Sequence, residues 1–245
     1  MAGHSKWNNI KRRKAAVDAK KGKVFTKLGR EIQVAIKEGG PDPEKNYSLQ
    51  AAITRAKSFN MPNDTINRAI ENATNPNTAD FNEITYEGYG PAGIAIIVET
   101  LTDNRNRTAG EIRHVFDKYG GNLGKDGSVN FLFERKGTLI LDRSKYQDAD
   151  QVMLDAMEAG CSDFIESDEY YEIETTVEDY HEVLNNLTEL KYEFVDVTLG
   201  PEAIIANEVE AAEDIEKLEK LLEKLEENDD VQDVFHNWNM PEISS

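Results

Sequence analysis

Apolar residues in this chain change their spacing at Asn75-Pro76-Asn77, from a helical period to an alternation of strand and helix patterns. That switch divides the molecule into unlike parts. Before it, Val24, Phe25, Leu28, Ile32, Ala35 and Ile36 fall on one side of a helical wheel over residues 20–38. Gly39-Gly40-Pro41 then offers a left-handed cap and a residue that cannot continue a helix. Leu49, Ala52, Ile53 and Ala56 mark a second helix, and Pro62-Asn63-Asp64 starts a third that carries Ile66, Ala69 and Ile70. Residues 1–20 have no strong apolar period, so they read as a mobile arm or a marginal helix that orders on contact.

Beyond the switch, residues 84–89 and 94–99 read as strands, 109–119 as a helix capped by Gly120-Gly121, and 129–134 as a further strand. Residues 138–198 then run strand, helix, strand, strand, helix, strand, the βαββαβ order of ferredoxin-like folds. A helix through Ile215, Leu218, Leu221, Leu222 and Leu225 and a strand over 231–235 follow. Residues 80–134 lack a second helix and a partner strand, and the C-terminal tail supplies one of each. The expected class is therefore α+β. A small N-terminal helical domain (1–78) precedes two ferredoxin-like α+β domains, one inserted in the other: 79–134 plus 206–245, and the insertion 135–205.

Charge is distributed as unevenly as the period. The formal net charge is -19, yet residues 1–75 hold 15 Lys and Arg against 7 Asp and Glu, and the remainder holds 13 against 40. Within residues 1–30 the single acid is Asp18, against ten cations. Such asymmetry points to a nucleic-acid-binding arm on an acidic body, which would itself repel phosphate and confine contact to one face. Lys20, Lys23, Lys27, Arg30 and Lys37 lie opposite the apolar stripe of the first helix. Trp7, set among these cations, either stacks on a base or plugs a small core.

The remaining motifs point away from catalysis. Gly88-Tyr89-Gly90-Pro91-Ala92-Gly93 matches the dinucleotide string, but Pro91 and the apolar run Ile94 to Val98 follow instead of a helix, so it reads as a turn between strands. The four histidines are scattered, and the lone Cys161 has no histidine beside it in sequence. No cofactor, metal or small-molecule substrate is expected, and the chain reads as no enzyme. Arg105 and Arg107 precede a helix expected to begin near Ala109, whose N-terminus is itself positive. Either Asp103 and a capping Asn or Thr offset them internally, or they form with Arg113 a candidate site for an anion or partner carboxylate. There is no apolar run near ~18 residues. The opening MAGHSKWNN has no apolar stretch after it. With one cysteine, these features suggest a cytoplasmic setting.

The strings MAGHSKWNNIKRRKAAVDAKKGKVFTKL, NMPNDTINRAI, YEGYGPAGIAIIVETLTDNRNRTAGEIRHVF, GGNLG and VQDVFHN resemble the YebC/PmpR family over nearly the whole chain. The resemblance implies three domains, a DNA-binding transcriptional regulator, and relatives that activate mitochondrial translation or help ribosomes past proline-containing stretches. It carries no catalytic residue. It does carry a basic motif onto His4, Lys6, Trp7, Lys11, Arg12, Arg13, Lys14, Lys20, Lys21, Lys23, Lys27 and Arg30. The expected partner is nucleic acid, either DNA or ribosomal RNA on the ribosome, with no membrane. The strongly acidic C-terminal half argues against extensive wrapping of DNA.

Overall fold

A computed structural model describes residues 2–75 and 78–240, and within the first twenty it describes the side chains of Trp7, Ile10, Lys11 and Lys14. The first helix, α1 (Ala2–Gly39), runs unbroken through residues 2–20, so of the two readings of that segment, arm or marginal helix, it is helical. Stepping back from Leu28 at 100° per residue brings Trp7 and Ile10 onto the same side as Leu28, Ile32 and Ala35. All five are buried, so the apolar stripe does extend to the N-terminal end, thinned by the cations between. The helix stops where Gly40 takes a φ of 86°. Asn46 locks the stop: its amide donates to the Ala35 and Gly40 carbonyls, while its Oδ1 accepts the Leu49 N–H and caps α2 (Tyr47–Ser58). A third helix, α3 (Asn63–Ala73), completes the helical core around Ile32, Leu49, Ala56 and Ile66.

Two compact units divide the chain, one built from residues 3–78 and 135–200, the other from 79–134 and 201–245. In the first, the helical segment shares its unit with the inserted α+β segment. That segment contains β4 (Phe133–Asp142), α5 (Ala149–Ala159), β5 (Asp163–Glu166), β6 (Tyr170–Thr175), α6 (Tyr180–Glu189) and β7 (Phe194–Ala203). The sheet order is β5-β6-β4-β7, with β6 antiparallel to both β4 and β5, as the βαββαβ reading requires. Leu139, Leu141, Tyr171 and Ile173 join Val152, Ala156, Val183 and Leu187 in its core, and Ala51 of α2 packs against them. The opposite face of the sheet offers Ile140 and Tyr170, which alternate with that set and meet Trp7 and Ile10 of α1.

The second unit holds β1 (Asn82–Tyr89), β2 (Ala95–Thr102), α4 (Arg105–Lys118), β3 (Asn122–Leu123), α7 (Ala212–Glu226) and β8 (Val231–His236). Its sheet order is β3-β1-β2-β8, all antiparallel. Ile94, Ile96 and Val98 pack with Ile112, Phe116, Leu218 and Leu221, whereas Ala95 and Ile97 pack with Val129 and Phe133. Both faces are covered, which is why β2 reads as a continuous apolar run. The Gly88-to-Gly93 string is indeed a turn between paired strands, with Ala92 and Gly93 at φ 55° and 73°.

Two local expectations need correction. Residues 129–134 are not a separate strand: a 3-10 turn at Asn130–Leu132 leads directly into β4. The buried Glu87 carboxylate accepts the N–H groups of Gly127, Val129 and Asn130 at 2.8–2.9 Å, diverting donors that a ladder would need. Burial disfavours the charged form of Glu87, but these three bonds outweigh it and hold the carboxyl below its ordinary value. In addition, α4 begins at Arg105 rather than near Ala109, because Asn104 caps it by accepting the Arg107 N–H.

Candidate nucleic-acid interface

The long helix α1 sets the geometry of the basic segment. Its apolar side is committed to the two cores described above, so its cations divide according to what the helix turns them toward. Lys23, Lys27 and Arg30 recur at spacings of four and three on the side away from Leu28 and Ile32. Lys21 and Lys23 are exposed, while Lys27 and Arg30 are half-buried. At 1.5 Å per residue, Lys21 to Arg30 span about 13 Å of the helix axis, the reach of a short run of phosphates.

Lys11, Lys14 and Trp7 have partners within the protein. Lys11 Nζ sits 2.9 Å from the Glu169 carboxylate and 5.1 Å from the centroid of the Trp7 ring. Lys14 Nζ donates to the Ser58 carbonyl at 2.6 Å and lies 5.6 Å over the Phe59 ring, so it completes the C-terminal end of α2. Trp7 is 5% exposed and stacks on Tyr170 at 5.2 Å and 11° between planes. Of its two readings the core plug is the one the structure shows. The side chains of His4, Lys6, Arg12, Arg13 and Lys20 lie outside the described residues.

The arginine loop also resolves into parts. Arg107 Nη2 is 2.7 Å from Asp230 and 2.9 Å from Asp103, and both carboxylates raise its pKa further above the ordinary arginine value. Asp230, almost wholly buried, also accepts from the hydroxyls of Thr108 at 2.7 Å and Thr102 at 3.3 Å. Arg107 is thus the counter-ion of a buried carboxylate, and the internal reading holds for it. Arg105 and Arg113 are exposed on α4, eight residues and about 12 Å of helix axis apart, so the three do not converge on one anion. Sequence reasoning missed Glu87, Glu169, Tyr170 and Asp230. No local spacing could have found Asp230 or Glu169, whose partners are more than a hundred residues distant.

The model for the TACO1/YebC N-terminal domain matches residues 5–76, and that for the TACO1/YebC second and third domains matches residues 81–238. The chain belongs to the TACO1/YebC family. Among its TACO1/YebC relatives, a protein of Acetivibrio thermocellus is 49% identical over 97% of this chain and 99% of its own. One of Lachnospira eligens is 48% identical over 99% and 98%. Both are named probable transcriptional regulatory proteins. The crystal structure of a conserved hypothetical protein from Aquifex aeolicus superposes with a TM-score of 0.80 at 43% identity, covering 93% of each chain. That likeness supports the α+β architecture over nearly its full length. Among the described residues, no helix is long and apolar enough to cross a membrane.

Proposed function

We propose that this TACO1/YebC member regulates gene expression by gripping the phosphate backbone of nucleic acid with the cations of α1, Lys23, Lys27 and Arg30 on its outer side together with the exposed Lys21, without catalysis. The observation that carries this reading is the one-sided charge: ten cations to one acid over residues 1–30, joined to a body of the opposite sign. Clustered cations relieve their mutual repulsion by neutralising phosphates, and release of counterions drives the association. The names of the bacterial relatives favour DNA as the target and transcription as the process.

A second reading, in which the same cations hold ribosomal RNA, is favoured by a specific feature of the helix. Reading base edges calls for Arg, Asn or Gln along an exposed face. Beside its arginines, the sequence of this helix supplies few such amides, Asn8, Asn9 and Gln33, of which Gln33 is half-buried. Contacts that position a protein on phosphates suit a structured RNA as well as a promoter.

Reversal of Lys23, Lys27 and Arg30 together to glutamate is the direct test. None of the three lies in the helical core, so circular dichroism should remain that of the parent while gel-shift affinity for both DNA and RNA is lost. Retention of parental affinity would remove α1 from the interface. Cross-linking in cells followed by sequencing then separates the two targets, with promoter fragments supporting the first and ribosomal RNA the second.

A further inference from the structure

Between Tyr146 and Leu190 the chain carries 14 Asp and Glu and no Lys or Arg. The β-sheet of this acidic segment receives the N-terminal half of α1. There Trp7 and Ile10 close a small cluster with Ile140, Tyr170 and Val195. Glu169 and Tyr170 are neighbours in sequence and meet two arm residues one helical turn apart: the Glu169 carboxylate holds Lys11, and the Tyr170 ring lies flat against Trp7. Lys11 also lies over the Trp7 ring, so the two arm residues are held as one unit.

A carboxylate on a lysine beside a flat ring on a tryptophan offers what a nucleotide offers, a phosphate and a base. From this correspondence we infer that the Glu169–Tyr170 face is a binding site for the chain's own basic arm, and that nucleic acid competes with it for Lys11 and Trp7. The inference rests on the proposed nucleic-acid contact and adds its regulation. Two features make the internal contact releasable. The Lys11–Glu169 pair is half-exposed, with 55% and 42% of the two side chains accessible, so water and salt weaken it. The Trp7 Nε1–H is buried with no acceptor among the described residues, a cost that undocking would recover. The same ammonium and the same indole face cannot serve Glu169 and Tyr170 while serving a phosphate and a base. Lys21, Lys23, Lys27 and Arg30, beyond the docked half, can make first contact while Trp7 is still seated.

Trp7 is its own reporter once Trp238 is replaced. Trp238 is 3% exposed and its indole N–H has no acceptor among the described residues, so Trp238→Phe removes a fluorophore without removing a hydrogen bond. In this full-length background, free protein should show blue-shifted Trp7 emission that is poorly quenched by acrylamide. Saturation with a mixed-sequence 30-base-pair DNA duplex or with purified ribosomal RNA should expose Trp7 or quench it by stacking. Glu169→Gln should raise acrylamide quenching without nucleic acid and strengthen binding by about two- to fivefold, the range of a surface ion pair. Asp168→Asn removes the same charge from the exposed neighbouring position and should do neither. Trp7 still shielded at saturation, or an equal gain from Asp168→Asn, overturns the competition while leaving the phosphate contact standing. If neither probe binds the parent or the Glu169→Gln protein, the proposed function fails and the competition with it.

Discussion

Glu87 shows how one side chain redirects the backbone. Its carboxylate is nine-tenths buried and takes three N–H groups from the loop that leads into β4. Because its folded-state pKa lies below its unfolded value, its contribution to stability is present above the unfolded pKa. That contribution is lost as pH falls through the folded one. Glu87→Gln keeps the shape but supplies an N–H where acceptors are needed. Denaturant unfolding at neutral pH should show a loss of about 1–3 kcal/mol, with a shallower decline of stability on acidification than the parent shows. A variant as acid-sensitive as the parent would show that the three amides do not depend on the charge. Asp230 is the second buried carboxylate of this kind, and it consumes the Arg107 that sequence alone could offer to an external anion.

At the scale of elements, α1 joins two environments. Its C-terminal half packs with α2 and α3 around Ile32 and Leu49, and its N-terminal half meets the inserted sheet through Trp7 and Ile10. Gly22 lies between these halves, exposed and inside the helix, and a Cβ added there would meet nothing within 4 Å. Glycine in a helix interior costs backbone entropy that alanine does not. Gly22→Ala should therefore stabilise the protein by about 0.5–1 kcal/mol, read as a higher denaturation midpoint. A lower midpoint would mean that the helix needs to bend at this position.

For the molecule as a whole, electrostatics would set the affinity of the proposed nucleic-acid contact. Four cations on phosphates, Lys21, Lys23, Lys27 and Arg30, give a salt dependence that costs about a hundredfold in affinity between 50 and 200 mM salt. About six to eight phosphates, as when the arm is also engaged, raise that loss to ~10³ or more. A salt titration by fluorescence anisotropy reads the slope directly, and a flat response would exclude phosphate contact. The acidic remainder would keep such a contact local, since polyanion laid across it would meet 40 carboxylates against 13 cations.

The periods, caps and charge blocks were legible in the chain because they are local. The 3.6-residue stripe over Val24 to Ile36, the Gly39-Gly40-Pro41 stop, the βαββαβ order and the excess of cations over residues 1–30 each depend on neighbours a few positions away. The α4 start was misplaced by four residues because Arg105 and Arg107 look hostile to a helix N-terminus until Asp230 neutralises one of them, and Asp230 arrives 123 residues later. Sequence determined by itself that a basic helix precedes an acidic α+β body. That two of the cations and the tryptophan have partners inside the protein was decided only in three dimensions. Lys11 and Lys14 are turned to Glu169 and to the end of α2, and Trp7 to Tyr170. The physical reason is that a charge or ring is matched by whatever partner the fold brings within a few ångströms, and a helical period specifies direction but not what waits there.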